Sequence, residues 1–382
     1  MVRSSIVMVR ILYVNLQGRI GGAENSLLLL IKDLRSQFVV IVACPAMTQL
    51  SRMLTSIQIG SYQLPEPPKR LSAISALVYW LRTSLRMIKI TFKTNPDVIH
   101  ANSFYAGVPA ILAALVTRKK LLLHARDLVN FRFLSKLYGR FSQQIIAVSN
   151  AVRDDLIEKG IRPDKIKVVY NGVDKDSFSQ SGEAKDSFST SRYPRKDSFV
   201  FAHIGQCVPW KNHILFLKAT SNVAKYLHDA RFALVGANIF SRGTKYERSV
   251  FSYAKSSPIA ERIDFVGWQE DMNEVWPQID CLVHTAEQEP FGRVIIEAMA
   301  HRIPVIAVGT CGPSEIIQDH KTGILVPADN VEALSEAMLN VAQDRQLTDR
   351  LVNAAFEHTI SNFTADKTAA QIQEVYMELL AA

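Results

Sequence analysis

Between Glu287 and Ala300 the chain reads EQEPFGRVIIEAMA, and two of its carboxylates, Glu289 and Glu297, stand eight residues apart. Pro290 and Gly292 punctuate a turn and the residues from Phe291 onward read as a helix. Glu289 then sits on the approach loop, and Glu297 about one and a half turns inside the helix. A carboxylate accepts hydrogen bonds in pairs from vicinal hydroxyls, so the two suit one sugar ring and one ribose. The unsatisfied N–H groups near Phe291–Val294, at the positive end of the helix dipole, suit the phosphates between them.

Two glycine turns add to this chemistry. His203–Asn212 reads as strand, glycine turn and helix start, with Lys211 in the turn as a point charge for a diphosphate; an exposed helix-initiating lysine is the plain alternative. Gly18-Arg19-Ile20-Gly21-Gly22-Ala23-Glu24-Asn25 follows the first strand, where consecutive glycines permit positive φ and the helix behind them receives an anion. A tight strand-to-helix turn without a ligand accounts for the same glycines. The pattern G-x-G-x-x-G is absent, no acidic residue stands near Cys44-Pro45 to hold a ribose, and there is no Walker A loop, which removes the commonest NAD and ATP readings. His124 ends an apolar run in the sequence His-Ala-Arg-Asp and is either a ligand of a hydroxyl or a satisfied structural histidine.

These residues must be placed by the elements around them. Short β-rich runs at Ile11–Asn15, Val39–Pro45, Val98–Asn102, Leu121–His124, Ile145–Ser149 and Lys167–Tyr170 alternate with helical stretches, as in a parallel sheet covered on both faces. Residues 174–197 are rich in Ser, Asp, Lys and Gly, carry KDSF three times (Lys175–Phe178, Lys185–Phe188, Lys196–Phe199), and read as a linker. The rhythm resumes with strands at Phe199–Ile204, Arg231–Val235, Arg262–Val266, Cys281–His284, Val305–Val308 and Ile324–Val326, and three helices close the chain. The expected architecture is α/β, two doubly wound Rossmann-like domains facing each other across a cleft. Residues 1–173 form the first, 198–363 the second, and 364–382 a helix crossing back to the first. Ligands in such sheets sit beyond the carboxyl ends of the strands.

The length of 382 residues fits two domains, and 48% hydrophobic with 21% charged residues is ordinary globular composition. Cys44, Cys207, Cys281 and Cys311 are widely spaced, which indicates neither a zinc site nor a disulfide scaffold. The start, MVRSSIVMVRILYVN with Arg3 and Arg10, runs straight into a strand and lacks the h-region of a signal peptide. Val98–Thr117 is uncharged but contains His100, Asn102, Gly107 and Pro109, and reads as strand, turn and buried helix rather than a membrane span. A cytoplasmic protein is expected.

Taken together, the sequence resembles the retaining glycosyltransferases of family 4, with the GT-B fold. The resemblance rests on Glu289 and Glu297 as an E-x7-E motif, Gly21-Gly22-Ala23-Glu24, Lys211-Asn212, Ala147-Val148-Ser149-Asn150, Asn171-Gly172-Val173-Asp174, Gly312-Pro313-Ser314-Glu315 and Thr322–Pro327, in family order over nearly the whole chain. It implies a nucleotide-sugar donor on the C-terminal domain, an acceptor on the N-terminal one, and transfer with retention, without metal or cofactor. Glu289 would bind donor-sugar hydroxyls, Glu297 the ribose and Lys211 the diphosphate. Gly21, Gly22, Gly205, Gln206, Phe291, Gly292, Arg293 and Val294 would complete the donor site, with Val266 and Gly267 near the base. His124 would lie near the donor sugar and join Lys211 and Glu289 as catalytic residues; Glu24 and Arg126 are candidate acceptor contacts. One departure stands out: the family commonly has Arg where this chain has Gln206, so Lys211 acts with backbone dipoles, or Arg293 or Arg19 replaces the missing cation. Family frequency puts UDP-glucose first as donor and a lipid-linked or oligosaccharide acceptor in polysaccharide or glycolipid assembly. The alternatives are a GDP-mannose-using transferase and a catalytically weak nucleotide-sugar or polyanion-binding protein.

Charge adds one expectation. Residues 1–172 hold 24 Lys and Arg against 9 Asp and Glu, and residues 173–382 hold 20 against 27. In the helix expected over 71–93, Arg82, Arg86, Lys89 and Lys93 share one stripe, and Ile74, Leu77, Val78, Leu81, Leu85 and Ile88 share another beside it. The reading is a helix that packs its apolar stripe on the sheet and shows its cations to anionic lipid, giving peripheral attachment at the inner face of the plasma membrane. A normally packed surface helix is the alternative. Nucleic acid is not expected, because no binding motif accompanies the basic half. The sequence says nothing of oligomeric state.

Overall fold

A computed structural model describes residues 8–68, 72–128, 132–179, 198–237 and 243–381. Residues 180–197 of the expected linker, with the Lys185–Phe188 copy and the start of Lys196–Phe199, lie outside them, as do Arg3 and Leu71. The chain divides into two units, one comprising residues up to Gly172 together with Ala365 onward, the other Val173–Thr364.

The first unit is built on seven parallel strands: β1 (Arg10–Val14), β2 (Val39–Pro45), β3 (Ser61–Leu64), β4 (Val98–Ala101), β5 (Lys120–Ala125), β6 (Gln144–Ala147) and β7 (Ile166–Val168), in the order β3-β2-β1-β4-β5-β6-β7. Ile11, Tyr13, Leu27, Ile31, Leu122 and Ile146 make its core, and the last helix, Ala365–Ala381, adds Ile372 and Tyr376 to it while packing on the helix Gly22–Leu34. Two elements escape a reading of apolar periodicity. One is the edge strand β3, whose sequence SYQL is half polar, and the other is the short helix Gln49–Ser56, capped by Thr48 through a bond from Ser51 N.

The second unit has six parallel strands: β8 (Val200–Ile204), β9 (Arg231–Val235), β10 (Ile263–Gly267), β11 (Cys281–His284), β12 (Val305–Val308) and β13 (Ile324–Val326), in the order β10-β9-β8-β11-β12-β13. Phe201, Phe216, Phe232 and Val283 centre its core. In both sheets the order reverses beside the first strand, between β1 and β4 and between β8 and β11, and crevices at the carboxyl ends of doubly wound sheets form at such points.

Three expectations change. The helix Ala73–Thr94 turns its more polar arc inward: Tyr79, Thr83, Met87, Ile90, Thr91 and Thr94 are buried, while Ile74, Leu77, Val78, Leu81 and Leu85 are exposed. The threonine hydroxyls are buried without penalty because Thr83, Thr91 and Thr94 donate to the carbonyls of Tyr79, Met87 and Ile90 at 2.7–2.9 Å. The helix Phe104–Thr117 is buried on one side only, with Tyr105, Leu112, Leu115 and Val116 exposed. Finally, Gly21 and Gly22 do not adopt positive φ; Gly21 is extended at φ −127°, ψ −167° and caps Gly22–Leu34. Among the described residues no helix is long and apolar enough to cross a membrane.

Candidate active site

In the second unit the loops after β8 and β11 meet. Lys211 ends the turn Pro209–Lys211, and Asn212, in the left-handed conformation at φ 45°, starts the helix His213–Val223 by accepting from Leu215 N. The carbonyl of Lys211 accepts from Thr285 Oγ1 at 2.9 Å and lies 3.0 Å from His203 Nε2. Asn212 Nδ2 donates to Glu287 Oε1, Thr310 Oγ1 donates to the Glu287 carbonyl, and Gly312 N donates to the Glu289 carbonyl. The loop Thr285–Gly292 is therefore stapled from both sides. Gly312 is required there, because a Cβ at this position would stand 2.3 Å from the Phe291 carbonyl oxygen.

This framework brings Lys211 Nζ onto Glu289 Oε2 as a largely buried ion pair, with His284 Nε2 3.3 Å from the same oxygen. Burial alone drives the Glu289 carboxyl upward, but the Lys211 ammonium and His284 outweigh it and hold the acid well below the usual carboxylate range. Burial keeps His284 itself neutral, its pKa lowered despite Glu289. An ionised acceptor and a cation thus share one largely buried corner.

Beside it, Gly292 at φ 100° caps the helix Arg293–Ala300, which starts two residues later than the sequence suggests because the left-handed turn occupies Gly292. Glu297 lies in its second turn and accepts from Arg293 Nη2 at 2.7 Å. Arg293 is accordingly tied to Glu297, and Arg19 is an exposed residue of the first unit. Gln206 keeps its Oε1 buried without a donor among the described residues.

Three glycines end successive strands. Gly205 follows β8 with the Lys211 stem in ordinary contact distance, a Cβ there meeting Lys211 Cδ at 3.5 Å. Gly236, at φ 120° after β9, would place a Cβ 2.1 Å from the Gly205 carbonyl oxygen, and Gly267 ends β10 at φ 74°. Val266 adjoins Gly267, its carbonyl accepting from Gln269 Nε2. Gly236 and His284 were not singled out in the sequence; the recurrence of a glycine after each apolar strand is the signal for the first, and the strand-end position of His284 for the second.

The first unit gathers a different cluster at its own reversal point. Glu24 is buried; Oε2 accepts from Gly21 N at 3.0 Å and Oε1 from Asn15 Nδ2 at 3.2 Å, so this carboxylate fixes the glycine loop. Arg126 Nε donates to Asn102 Oδ1 at 3.0 Å, Nη1 donates to Asn171 Oδ1 at 2.9 Å, and Nη2 lies 3.3 Å from His124 Nδ1. His100 bridges His124 Nδ1 at 3.2 Å to the Tyr376 hydroxyl at 2.5 Å. Burial, followed by Arg126 and His100, pulls the His124 pKa well below its ordinary value, and His100 falls to about 3. Both imidazoles are neutral, and His124 Nε2 is buried without a partner among the described residues. No three His, Cys, Asp or Glu side chains among the described residues converge as metal ligands.

Comparison with known proteins matches both units to glycosyltransferase families. Residues 20–177 match Glycosyltransferase Family 4 and residues 185–358 match Glycosyl transferases group 1. The chain is 21% identical over 320 residues to the UDP-Gal:alpha-D-GlcNAc-diphosphoundecaprenol alpha-1,3-galactosyltransferase of Escherichia coli, covering 80% of this chain and 81% of that protein. It is 24% identical to the N-acetyl-alpha-D-glucosaminyl L-malate synthase of Bacillus anthracis, covering 79% and 80%. A crystal structure of Anabaena HepE in complex with UDP-glucose shares the fold, with a TM-score of 0.84 at 24% identity over 97% of this chain and 99% of that one. With a family 4 region followed by a group 1 region on two Rossmann-like units, the chain belongs to the GT-B glycosyltransferases.

Proposed function

We propose that this glycosyltransferase moves a hexose, glucose in the first instance, from its UDP conjugate to a hydroxyl of a lipid-linked or oligosaccharide acceptor, with retention and without a metal. The observation that carries the reading is the largely buried Lys211–Glu289 pair beside the first turn of Arg293–Ala300. Glu289 accepts from hydroxyls of the donor sugar, Lys211 meets the diphosphate, and Glu297 accepts from the ribose. The positive end of the Arg293–Ala300 helix dipole and the Gly292 turn serve the phosphates. His124, with Nε2 unpartnered among the described residues, is suited to hydrogen-bond a sugar hydroxyl, and its lowered pKa makes it a poor general base near pH 7.

In the reaction the C1–O bond to the diphosphate breaks, the acceptor oxygen bonds C1 on the same face, and the acceptor proton passes to a phosphate oxygen of the leaving UDP. Gln206 contributes an amide where the resemblance expects a cation, so leaving-group charge falls to Lys211 and the backbone dipoles. Proton NMR of the product formed from UDP-glucose in EDTA, across a panel of lipid-linked and oligosaccharide acceptors, tests this reading. An α-linked product is expected. A β-linked product, or a requirement for a divalent cation, overturns it.

A further inference from the structure

The helix Ala73–Thr94 is amphipathic in the inverse sense. At 100° per residue its surface divides into three arcs: a buried arc from Tyr79 to Ser84 by way of Thr83 and Met87, a basic arc of Arg82, Arg86, Lys89 and Lys93, and an apolar arc. The apolar arc holds Ile74, Leu77, Val78, Leu81, Leu85 and Phe92, each 46–76% exposed. The neighbouring helix Phe104–Thr117, which packs against it, contains no charged residue and exposes Tyr105, Leu112, Leu115 and Val116. A third helix, Arg132–Phe141, packs on the second and exposes Phe133 beside Lys136 and Arg140. None of the three helices carries an Asp or Glu. A soluble surface rarely collects so many large apolar side chains on adjacent helices without a partner.

We propose that this face is a bilayer-docking surface, with the apolar arc entering the acyl boundary of an anionic membrane and Arg82 and Lys89 meeting its headgroup phosphates. Charge selects this occupant. A second copy meeting the face about a two-fold axis would set cations against cations with no carboxylate on either side. An apolar peptide groove would leave the basic arc unused. Arg86 Nε donates to the Gln63 carbonyl and Lys93 Nζ lies over the Tyr62 ring, so two of the four cations also hold the helix to the edge strand β3, whereas the side chains of the apolar arc stay about half or more exposed. The sequence reading assigned membrane contact to the cations alone; the structure adds insertion of the hydrophobic arc beside them.

Sedimentation with vesicles of phosphatidylcholine, alone or with phosphatidylglycerol, tests the assignment on the full chain. Binding is expected only with phosphatidylglycerol and should weaken with salt. Arg82→Glu/Lys89→Glu should weaken it at least about tenfold, since each basic residue near an anionic surface contributes about fivefold. Leu77→Glu/Leu81→Glu/Leu85→Glu should abolish it, and because these side chains are exposed, the thermal midpoint and UDP binding should stay unchanged. Equal binding by the leucine variant, absence of binding to either vesicle, or a dimer that the leucine variant dissolves would each overturn the proposal. UDP binding reports separately on the donor site, so failure here leaves that reading standing.

Discussion

Arg126 in the first unit is a buried cation and Lys211 in the second a largely buried one, yet they are held by different chemistry. Arg126 donates to the amide oxygens of Asn102 and Asn171 and lies against the neutral His124, in a mesh that reaches the last helix through His100 and Tyr376. Lys211 faces one carboxylate directly. A mesh of neutral acceptors fixes a guanidinium in place and keeps its neighbours neutral, which makes a frame. A buried ion pair roughly breaks even in stability against apolar replacements, so its retention points to chemistry. In the proposed reaction its two members exchange each other for phosphate and sugar hydroxyl.

The contrast is most exposed to test at the ion pair. Glu289→Gln strands the Lys211 ammonium and should lower stability by about 3 kcal/mol and kcat/KM by at least about a hundredfold. Lys211→Met/Glu289→Leu should recover most of that stability in denaturant melts and none of the activity; recovery of neither would make the pair structural. In the first unit, Arg126→Met leaves two amide oxygens unsatisfied and should cost about 2 kcal/mol, while calorimetric UDP affinity stays within about twofold of wild type.

Acid should act on both units, with different steepness. Burial lowers the pKa of His100 and His124 in the first unit and of His203, His213 and His284 in the second. A histidine whose folded pKa is depressed binds a proton in the unfolded state first, so its contribution is complete above the unfolded value near 6.5 and is lost as pH falls toward the folded value. The loss is about 1.4 kcal/mol per pH unit per histidine. Hydrogen exchange between pH 7 and 5 should show protection falling more steeply in the second unit. The ionised Glu289 lies outside this window, because its depressed pKa moves its loss to still lower pH. The smallest effect is expected at Gln206→Arg, which adds a cation beside the diphosphate position and should raise kcat about tenfold, one charge-assisted hydrogen bond being worth about 1.4 kcal/mol. An unchanged kcat would show that Lys211 and the backbone already suffice.

Elements buried on both faces were legible as continuous apolar runs, which is why Cys281–His284 and Val305–Val308 have the bounds read from sequence. The half-polar edge strand β3 was not, since an edge needs only one apolar face. Periodicity also located the two stripes of the helix Ala73–Thr94 without telling which would face the sheet; back-bonded threonines reversed the assignment. At the site, Glu289 and Lys211 were legible as residue types that suit hydroxyls and phosphate, but their mutual pairing and the tie between Arg293 and Glu297 are tertiary facts. Glu24 illustrates the converse. A carboxylate after two glycines suggests a ligand contact, and the structure adds that it also accepts from Gly21 N and Asn15 Nδ2, a tertiary role that spacing does not show.

The most direct test of the account is calorimetric titration of UDP, GDP, ADP and their glucose and mannose conjugates in EDTA, with wild type and Glu297→Ala. The account predicts binding of UDP and UDP-glucose ahead of the others, weakened at least about tenfold by Glu297→Ala, the cost of a charge-assisted hydrogen bond to the ribose. Preference for GDP, or UDP binding that Glu297→Ala leaves unchanged, would contradict it.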